Sequence, residues 1–213
     1  MKRNVFVLVC LLIFLVSSHV YAGQFLPMTS GSWFAYYTHD SADPANESYL
    51  IWLTSGNGTI DLNGKKYKVL ELISSDDPSG FSANMSIRLF RSTAKEVYSY
   101  GANGYEHLAF QNAPQGTSWI YKNIRGGETK RVIEQTGMNV TVNIDEAPAT
   151  FTGCIRTCGY DNANYPATKY SCDIIKPGFG MIRSVDFYAP NAPIITELIS
   201  FGSGSLPVSI PPQ

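Results

Sequence analysis

The strongest structural signal in the chain is the stretch Ile60-Asp-Leu-Asn-Gly-Lys-Lys-Tyr67. Its Asn-Gly pair suits a two-residue type I′ turn, because both central positions of that turn need a positive φ. Such a turn pairs Ile60 with Tyr67 on one face of the hairpin. It pairs Asp61 with Lys66 on the other face, so the apolar and charged pairs separate. Turn chemistry and side-chain pattern therefore predict the same β-hairpin.

Strand-like segments continue on both sides of this hairpin, separated by turn signals about every eight to twelve residues. Helical periodicity is nearly absent, and only the stretch 86–98 leaves room for one or two helical turns. About eleven or twelve strands in one domain predict an all-β fold with little helix: a large, curved, mostly antiparallel sheet, half-barrel or barrel-like. Turns are predicted at 56–58 and at Gly137, among other places. The predicted strands are 33–38, 49–53, 67–73, 85–90, 97–100, 119–123, 132–135, 140–144, 151–156, 181–187 and 194–201.

Many of these strands are apolar on both faces. A sheet with one wet face shows a cleaner alternation of apolar and polar residues. A second sheet, a closed barrel interior or a bound apolar ligand must therefore cover the second face. Leu50 and Trp52 share a strand face for which the sequence shows no cover, and Tyr36 lies in the preceding strand. These three are the candidate ligand-binding side chains, whereas Trp33 and Trp119 are predicted to pack in the core.

Residues 1–22 have the pattern of a secretory signal peptide. Lys2 and Arg3 precede an apolar run of about twelve residues, which is too short to span a bilayer. Val20 and Ala22 then provide the small-residue pattern after which a signal peptidase cleaves. We expect the protein to be exported, either to the periplasm or out of the cell.

Cleavage after Ala22 leaves a chain long enough for one domain and short for two. We predict a single β-rich domain over residues 23–202 and a flexible tail over residues 203–213, which is rich in Pro, Ser and Gly. After signal cleavage, no apolar run approaches the length of a transmembrane segment.

Composition argues against several functional classes. The formal net charge is −1 and no cluster of Lys and Arg stands out, so we expect no nucleic-acid partner. His39 and His107 are the histidines after the signal peptide, and no G-x-S-x-G elbow accompanies them. Zinc would need a CxxC pair or a nearby His, and the Asp-rich turns do not match a calcium loop. We expect no catalytic residues, no metal and no cofactor.

Three cysteines remain after the signal peptide: Cys154, Cys158 and Cys172. An oxidising compartment favours one disulfide and one leftover thiol. On one strand, Cys154 and Cys158 would lie about 13 Å apart, too far to bond. Folding the segment 159–166 into a turn places Cys158 opposite Cys172. We therefore predict the disulfide Cys158–Cys172, and the alternative pairing of Cys154 with Cys172 stays open.

Further motifs follow one another in order along the chain: Pro27-Met-Thr-Ser-Gly-Ser-Trp33-Phe-Ala-Tyr36, Phe151-Thr-Gly-Cys154-Ile, Pro177-Gly-Phe-Gly180-Met-Ile-Arg183 and Glu197-Leu-Ile-Ser-Phe201. In this order the chain resembles a broad group of uncharacterised bacterial exported proteins and lipoproteins. The resemblance extends over residues 25–200. It implies a curved β-sheet, a half-barrel like that of periplasmic lipoprotein carriers, and it implies no particular activity.

The sequence thus predicts a non-enzymatic exported binding protein that holds an apolar or amphipathic ligand on a concave sheet. The ligand would be lipid-like or another apolar small molecule. Two alternatives remain: a protein-interaction or structural module of the cell envelope or its exterior, with an envelope protein as partner, and a hydrolase. A packed interior argues for the module, and a deep cleft that brings a histidine and a carboxylate together argues for the hydrolase.

Overall fold

The structure is a computed structural model and describes residues 25–26, 29–43, 47–75, 84–101, 104–122, 128–160, 168–189 and 192–204. The predicted signal peptide, 1–22, and residues 205–213 of the predicted tail lie outside them. Within the described residues the chain forms twelve β-strands and no helix, so a membrane-crossing helix is absent from them. The strands are β1 Ser32–Asp40, β2 Glu47–Leu62, β3 Lys65–Ser75, β4 Asn84–Ser92, β5 Glu96–Tyr100, β6 Glu106–Gln111, β7 Ser118–Lys122, β8 Glu128–Ile144, β9 Ala147–Tyr160, β10 Lys169–Lys176, β11 Gly180–Ala189 and β12 Ala192–Ser203.

All twelve strands belong to one antiparallel sheet with the order β6-β5-β4-β3-β2-β1-β12-β11-β10-β9-β8-β7. Each strand pairs with its neighbours in the chain, with two exceptions: β6 does not pair with β7, and β1 also pairs with β12. This pairing brings the first and last strands together in the middle of the sheet. Strands β6 and β7 are the two edges, and the sheet curls until it is nearly closed into a barrel. The predicted all-β, curved, antiparallel fold is confirmed.

The Asn-Gly hairpin has the predicted register. Ile60 lies opposite Tyr67, and Asp61 lies opposite Lys66. Asn63 and Gly64 have φ values of 53° and 73°, as a type I′ turn requires. Tyr67 is almost completely buried, whereas its partner Ile60 is 41% exposed, so the apolar face of the hairpin packs through Tyr67.

Two predicted turns are wrong, because the chain passes through them as strand. Strand β2 continues through 56–58, with a register shift between Thr54 and Thr59. Strand β8 continues through Gly137, whose φ is 72°, between register shifts on both sides. Glycine supplies a positive φ in a β-bulge as well as in a turn, so composition alone does not separate the two. The stretch 86–98, where one or two helical turns were left open, forms strands β4 and β5.

One face of the sheet is concave, and contacts between distant strands identify it. Val97 of β5 packs in one buried cluster with Ile133 of β8, Ile155 of β9 and Ile175 of β10. Strand β5 pairs with none of those three strands, so these side chains meet only across the inside of the curve. Side chains that share a face with Ile133 along the paired strands therefore line the concave face.

The N-terminal segment closes one end of the curved sheet. The backbone N–H of Phe25 donates to the carbonyl of Thr93, between β4 and β5, at 2.8 Å. The N–H of Gly178, between β10 and β11, donates to the carbonyl of Phe25 at 2.8 Å. The Phe25 side chain is buried in the same cluster as Val97. This end of the barrel is filled with apolar side chains.

Substituting Gly64 by valine should lower the free energy of unfolding by about 1–2 kcal/mol, because a β-branched residue is strained at a positive φ. A Cβ at Gly64 would meet no atom within 4 Å, so the loss reports backbone strain and not a clash. Asparagine tolerates this backbone conformation and is the control, with an expected loss below about 0.5 kcal/mol. Urea denaturation measures both losses, and equal losses for the two variants would contradict the turn assignment.

Candidate functional site

The three sequence-predicted ligand-binding residues lie together on the concave side of β1 and β2. Tyr36 is directly opposite Leu50, and the rings of Tyr36 and Trp52 have centroids 5.1 Å apart. Tyr36 is fully buried, and its hydroxyl donates to the carbonyl of Met181 at 3.2 Å. Burial raises the pKa of Tyr36. Leu50 and Trp52 are half-buried and pack against the same core cluster. The concave face thus has an apolar floor, of which Tyr36 is a fixed part.

The indole N–H of Trp52 is buried and has no hydrogen-bond partner among the described residues. A buried donor without a partner is costly. Trp52 therefore combines a large apolar ring with one unused donor, which is the pair of properties that an amphipathic ligand needs from a binding side chain.

A polar belt follows the apolar floor around the inside of the sheet. It begins with Thr38, two residues beyond Tyr36 on β1, and passes from strand to strand through directly paired residues that share one face. The hydroxyls of Thr38 and Thr196 lie 3.0 Å apart. The belt residues, in strand order from β1 through β12 to β9, are Thr38, Thr196, Ser184, Asp173 and Thr157, and Ile133 on β8 is next in the row.

An ion pair lies inside the barrel at this belt. Nη1 of Arg131 donates to Oδ2 of Asp173 at 2.6 Å, and Ser184 Oγ donates to the other carboxylate oxygen at 2.8 Å. The two charged side chains are 14% and 10% exposed. Burial opposes the charge of Arg131, but Asp173, with smaller contributions from Tyr170 and Tyr121, outweighs it and raises the pKa of the arginine. The pair is therefore a fixed, charged feature of the interior.

Asp186 adds a second carboxyl group to this region. It lies one step along the concave face from Ser184 and is directly opposite Ser171 of β10. Burial and, to a smaller extent, the nearby Asp173 raise the pKa of Asp186 to about 6, and Arg131 acts in the opposite direction. At neutral pH the site therefore contains two carboxylates and one guanidinium.

Buried polar atoms without partners surround these charges. Thr157 Oγ1, Ser171 Oγ and Arg131 Nε have no hydrogen-bond partner among the described residues. Thr157 and Ser171 are 1% and 4% exposed. Buried polar groups in folded proteins are nearly always hydrogen-bonded, so three unpaired atoms around one ion pair are unusual. We call this group the charged site; its members are Arg131, Asp173, Asp186, Ser171 and Thr157.

Aromatic rings flank the charged site. The guanidinium carbon of Arg131 lies 5.4 Å from the ring centroid of Phe110 and 5.7 Å from that of Tyr121. The ring of Tyr170 covers Gly159, where an added Cβ would lie 2.6 Å from the Tyr170 ring. Gly159 lies opposite Arg131 on the concave face, so its lack of a side chain leaves the space that Tyr170 occupies.

Side chains link the two sheet edges next to the charged site. The indole N–H of Trp119, on β7, donates to the carbonyl of Leu108, on β6, at 2.9 Å. The rings of His107 and Tyr121 lie 5.7 Å apart across the same gap. Trp119 belongs to the core, packed against the buried cluster around Val97 as the sequence predicts. The barrel closes here through side chains, whereas the other strand boundaries close through backbone ladders.

The predicted cysteine pair lies on the opposite, convex face. Cys158 and Cys172 are directly opposite each other on β9 and β10 and form a disulfide, with Cα atoms 4.1 Å apart. Cys154 is a buried free thiol. Glu134 approaches the two disulfide sulfurs and makes the one group of three possible metal ligands among the described residues. Sulfurs that are bonded to each other do not act as thiolate ligands, so this group is not a metal centre.

Sequence reasoning missed the charged site. Its signal is the placement of Asp173 and Asp186 inside otherwise apolar strands, Cys172-Asp-Ile-Ile175 and Val185-Asp-Phe187. Charged residues are rarely buried unless they are paired. Which residue pairs with Asp173 is not visible in the sequence, because Arg131 precedes it by 42 positions.

Comparison with known proteins gives a fold and no family. No family model matches the chain, and no curated protein matches it. Among solved structures, it is similar to a "putative lipoprotein" from Parabacteroides distasonis, with a TM-score of 0.51 and 11% identity, over 85% of this chain and 99% of that one. It is also similar to a "putative exported protein with YmcC-like fold" from Bacteroides fragilis, with a TM-score of 0.51 and 11% identity, over 85% of this chain and 100% of that one.

These two similarities confirm the resemblance to curved-sheet exported proteins and lipoproteins that the sequence motifs indicate. At 11% identity they establish the shared fold alone.

Proposed function

We propose that this chain is an exported, non-enzymatic binding protein that holds an amphipathic ligand inside its curved sheet. The observation that carries the proposal is the charged site, with its unpaired buried hydroxyls, on the same concave face as the apolar floor around Trp52, with the polar belt between them. Ligand sites are mostly apolar and contain a few placed polar groups that fix orientation. The apolar part of the ligand would contact Leu50 and Trp52 beside Tyr36, and its polar part would reach the charged site.

Export is part of the same proposal. Residues 1–22 act as the signal peptide, and the mature chain functions in the periplasm or outside the cell. The disulfide between Cys158 and Cys172 suits an oxidising compartment, and two exported or lipoprotein-like structures with this fold support the same location.

A second candidate function rests on the convex face. Met85 and Ile87, on β4, are 62% and 58% exposed, and they lie opposite Ile73 and Glu71 of β3. Exposed apolar residues on one face are a feature of protein-interaction surfaces. An envelope module would use this face to bind a protein partner, and its concave face would then bind no ligand.

Native mass spectrometry of residues 23–213, purified from an oxidising compartment, distinguishes the two functions. Binding predicts an added mass of a few hundred daltons that organic extraction removes. A bare chain that also fails to bind any added amphiphile would contradict the binding function and favour the module.

Replacing Trp52 by alanine should weaken the binding of an added probe, n-decanol, about tenfold, because it removes the largest half-buried ring from the apolar floor. Isothermal titration calorimetry measures this change. Ile87→Ala on the convex face is the control and should bind n-decanol as the wild-type protein does. Equal affinities of the two variants would place the ligand away from Trp52.

A further inference from the structure

We infer that the polar part of the ligand is an ammonium group, which Asp186 binds beside Ser171 in the charged site. This inference rests on the proposed function and adds the chemical class of the ligand, an amphiphile with a primary amine. Its basis is the charge balance of the site, the unpaired buried acceptors and the surrounding rings.

The charge balance leaves one carboxylate without a cation. Arg131 faces Asp186 from β8, but its Nη1 is bound to Asp173 at 2.6 Å. On β10, Asp173 and Ser171 face Asp186, and the directly opposite residue of β12 is the apolar Ile194. Among the described residues, none donates a hydrogen bond or forms an ion pair with the Asp186 carboxylate.

The next charge beyond Ile194 in this row is also negative. Asp40 on β1 lies opposite Ile194, and its carboxylate accepts from the backbone N–H of Ala42 at 2.8 Å. A cation from outside the chain is therefore the missing partner of Asp186. Asp186 is half-buried, and a carboxylate that is partly shielded from water gains from a cationic partner, so a cationic ligand would gain affinity by supplying one.

The unpaired hydroxyls of the charged site fit an ammonium group, whereas the unpaired Nε–H of Arg131 is a donor and does not contribute to ammonium binding. An ammonium has three N–H donors and no acceptor. The Asp186 carboxylate accepts one of them, and the hydroxyl of the directly opposite Ser171, which is more than nine-tenths buried and has no partner among the described residues, accepts a second. The rings of Tyr121 and Tyr170 near Arg131 add faces that attract cations.

An anionic head group fits the site less well. Its cationic partner would have to be Arg131, whose charge is already compensated by Asp173. Such a ligand would also bring a third negative charge close to two carboxylates, and like charges at short distance repel. The raised pKa of Asp186, about 6, agrees with a carboxylate that lacks a cation and becomes neutral in mildly acidic solution.

The test compares three ten-carbon probes that differ only in the head group: n-decylamine, n-decanol and n-decanoate. Isothermal titration calorimetry on residues 23–213 at pH 7.5 should give n-decylamine at least about tenfold tighter binding than n-decanol, with n-decanoate weakest. At pH 5.0 the preference for the amine over the alcohol should fall severalfold, because Asp186 becomes protonated while the amine remains charged.

Asp186→Asn should abolish the preference for n-decylamine, measured as the ratio of its affinity to that of n-decanol in the same variant. Glu71→Gln removes a carboxylate from the convex face and is the matched control, which should keep the preference. Circular dichroism checks that both variants are folded, and the pH dependence of the wild-type protein tests the inference independently of either variant.

The other outcomes separate the inference from the proposed function. Equal affinity for the amine and the alcohol overturns the ammonium site and leaves the binding function standing. Tightest binding of n-decanoate overturns it too, and assigns the head group to Arg131. If none of the three probes binds, both the inference and the proposed function are wrong.

Discussion

Replacing Arg131 by alanine is expected to lower the free energy of unfolding by about 3 kcal/mol at pH 7.5, because it breaks a mostly buried ion pair by removing one partner. The substitution leaves Asp173 without its cation inside the barrel, close to Asp186, whose pKa is already raised to about 6. It also removes the guanidinium from between the rings of Phe110 and Tyr121. Urea denaturation of the mature chain measures the loss.

The loss in the free energy of unfolding that Arg131→Ala causes should become smaller when the pH is lowered from 7.5 to 5. Without Arg131 two carboxyl groups face each other with no cation between them, so the folded variant holds a proton that the unfolded chain releases. A folded state that binds more protons than the unfolded state gains stability as the pH falls. A loss that is independent of pH would contradict this account.

Arg183→Ala is the matched control for this experiment. Arg183 pairs with Glu197 at 2.5 Å on a more solvated part of the sheet, where the side chains are 31% and 28% exposed. Pairs of this kind contribute less than about 1 kcal/mol. The double variant Arg131→Ala, Asp173→Asn should recover part of the stability, because no uncompensated Asp173 charge remains. Equal losses for the two single variants would show that the interior pair is no more important than a surface one.

Removing the disulfide with Cys158→Ala and Cys172→Ala together should lower the free energy of unfolding by about 3 kcal/mol. The bond joins residues 14 positions apart in the sequence. Without it, the unfolded chain gains the freedom of that loop, which stabilises the unfolded state relative to the folded one. Urea denaturation in the presence and absence of dithiothreitol measures the effect.

Two controls test whether the loss comes from the disulfide itself. Dithiothreitol should lower the stability of the wild-type protein by the same amount and leave the double variant unchanged. Cys154→Ala removes the buried free thiol, keeps the disulfide and should retain its sensitivity to the reductant. Mass spectrometry shows whether dithiothreitol has reduced the disulfide of the wild-type protein. If the disulfide is reduced and the stability is unchanged, the prediction is contradicted.

Local patterns in the sequence predict much of this fold. The Asn63-Gly64 turn specifies its own register, because a two-residue turn leaves no freedom in which residues pair. The same argument, applied to a longer turn, places Cys158 opposite Cys172. Both are relations between strands that are neighbours in the chain, for which the turn fixes the geometry.

The wrong turn predictions arise because glycine occurs with a positive φ both in turns and in β-bulges. Gly137 has a positive φ in the middle of strand β8, where it accompanies a bulge and the bend of a long hairpin. A glycine in a turn has the same backbone conformation, so the sequence predicts a break where the chain continues as strand. The distinction depends on the partner strand β9, which supports the pairing on both sides of the bulge.

One part of the candidate site can be predicted from local sequence patterns, and another part cannot. The sequence alone indicates that Leu50 and Trp52 share a face, because side chains alternate along a strand with a period of two. It also contains Arg131, Asp173 and Asp186, but as three unrelated charges. Their meeting requires the register of four strands, β8 to β11, and no local pattern encodes such a register.

Residue order and composition are thus sufficient for the all-β class, the tight hairpin, the pairing of the cysteines and the sets of residues that share a strand face. Three properties depend on the tertiary structure: which of the two faces is concave, the pairing of β1 with β12, and the ion pair of Arg131 with Asp173. The physical reason is the range of the interactions. Turn geometry and strand periodicity act between neighbours in the chain, whereas curvature and closure arise from the packing of strands that are far apart in sequence.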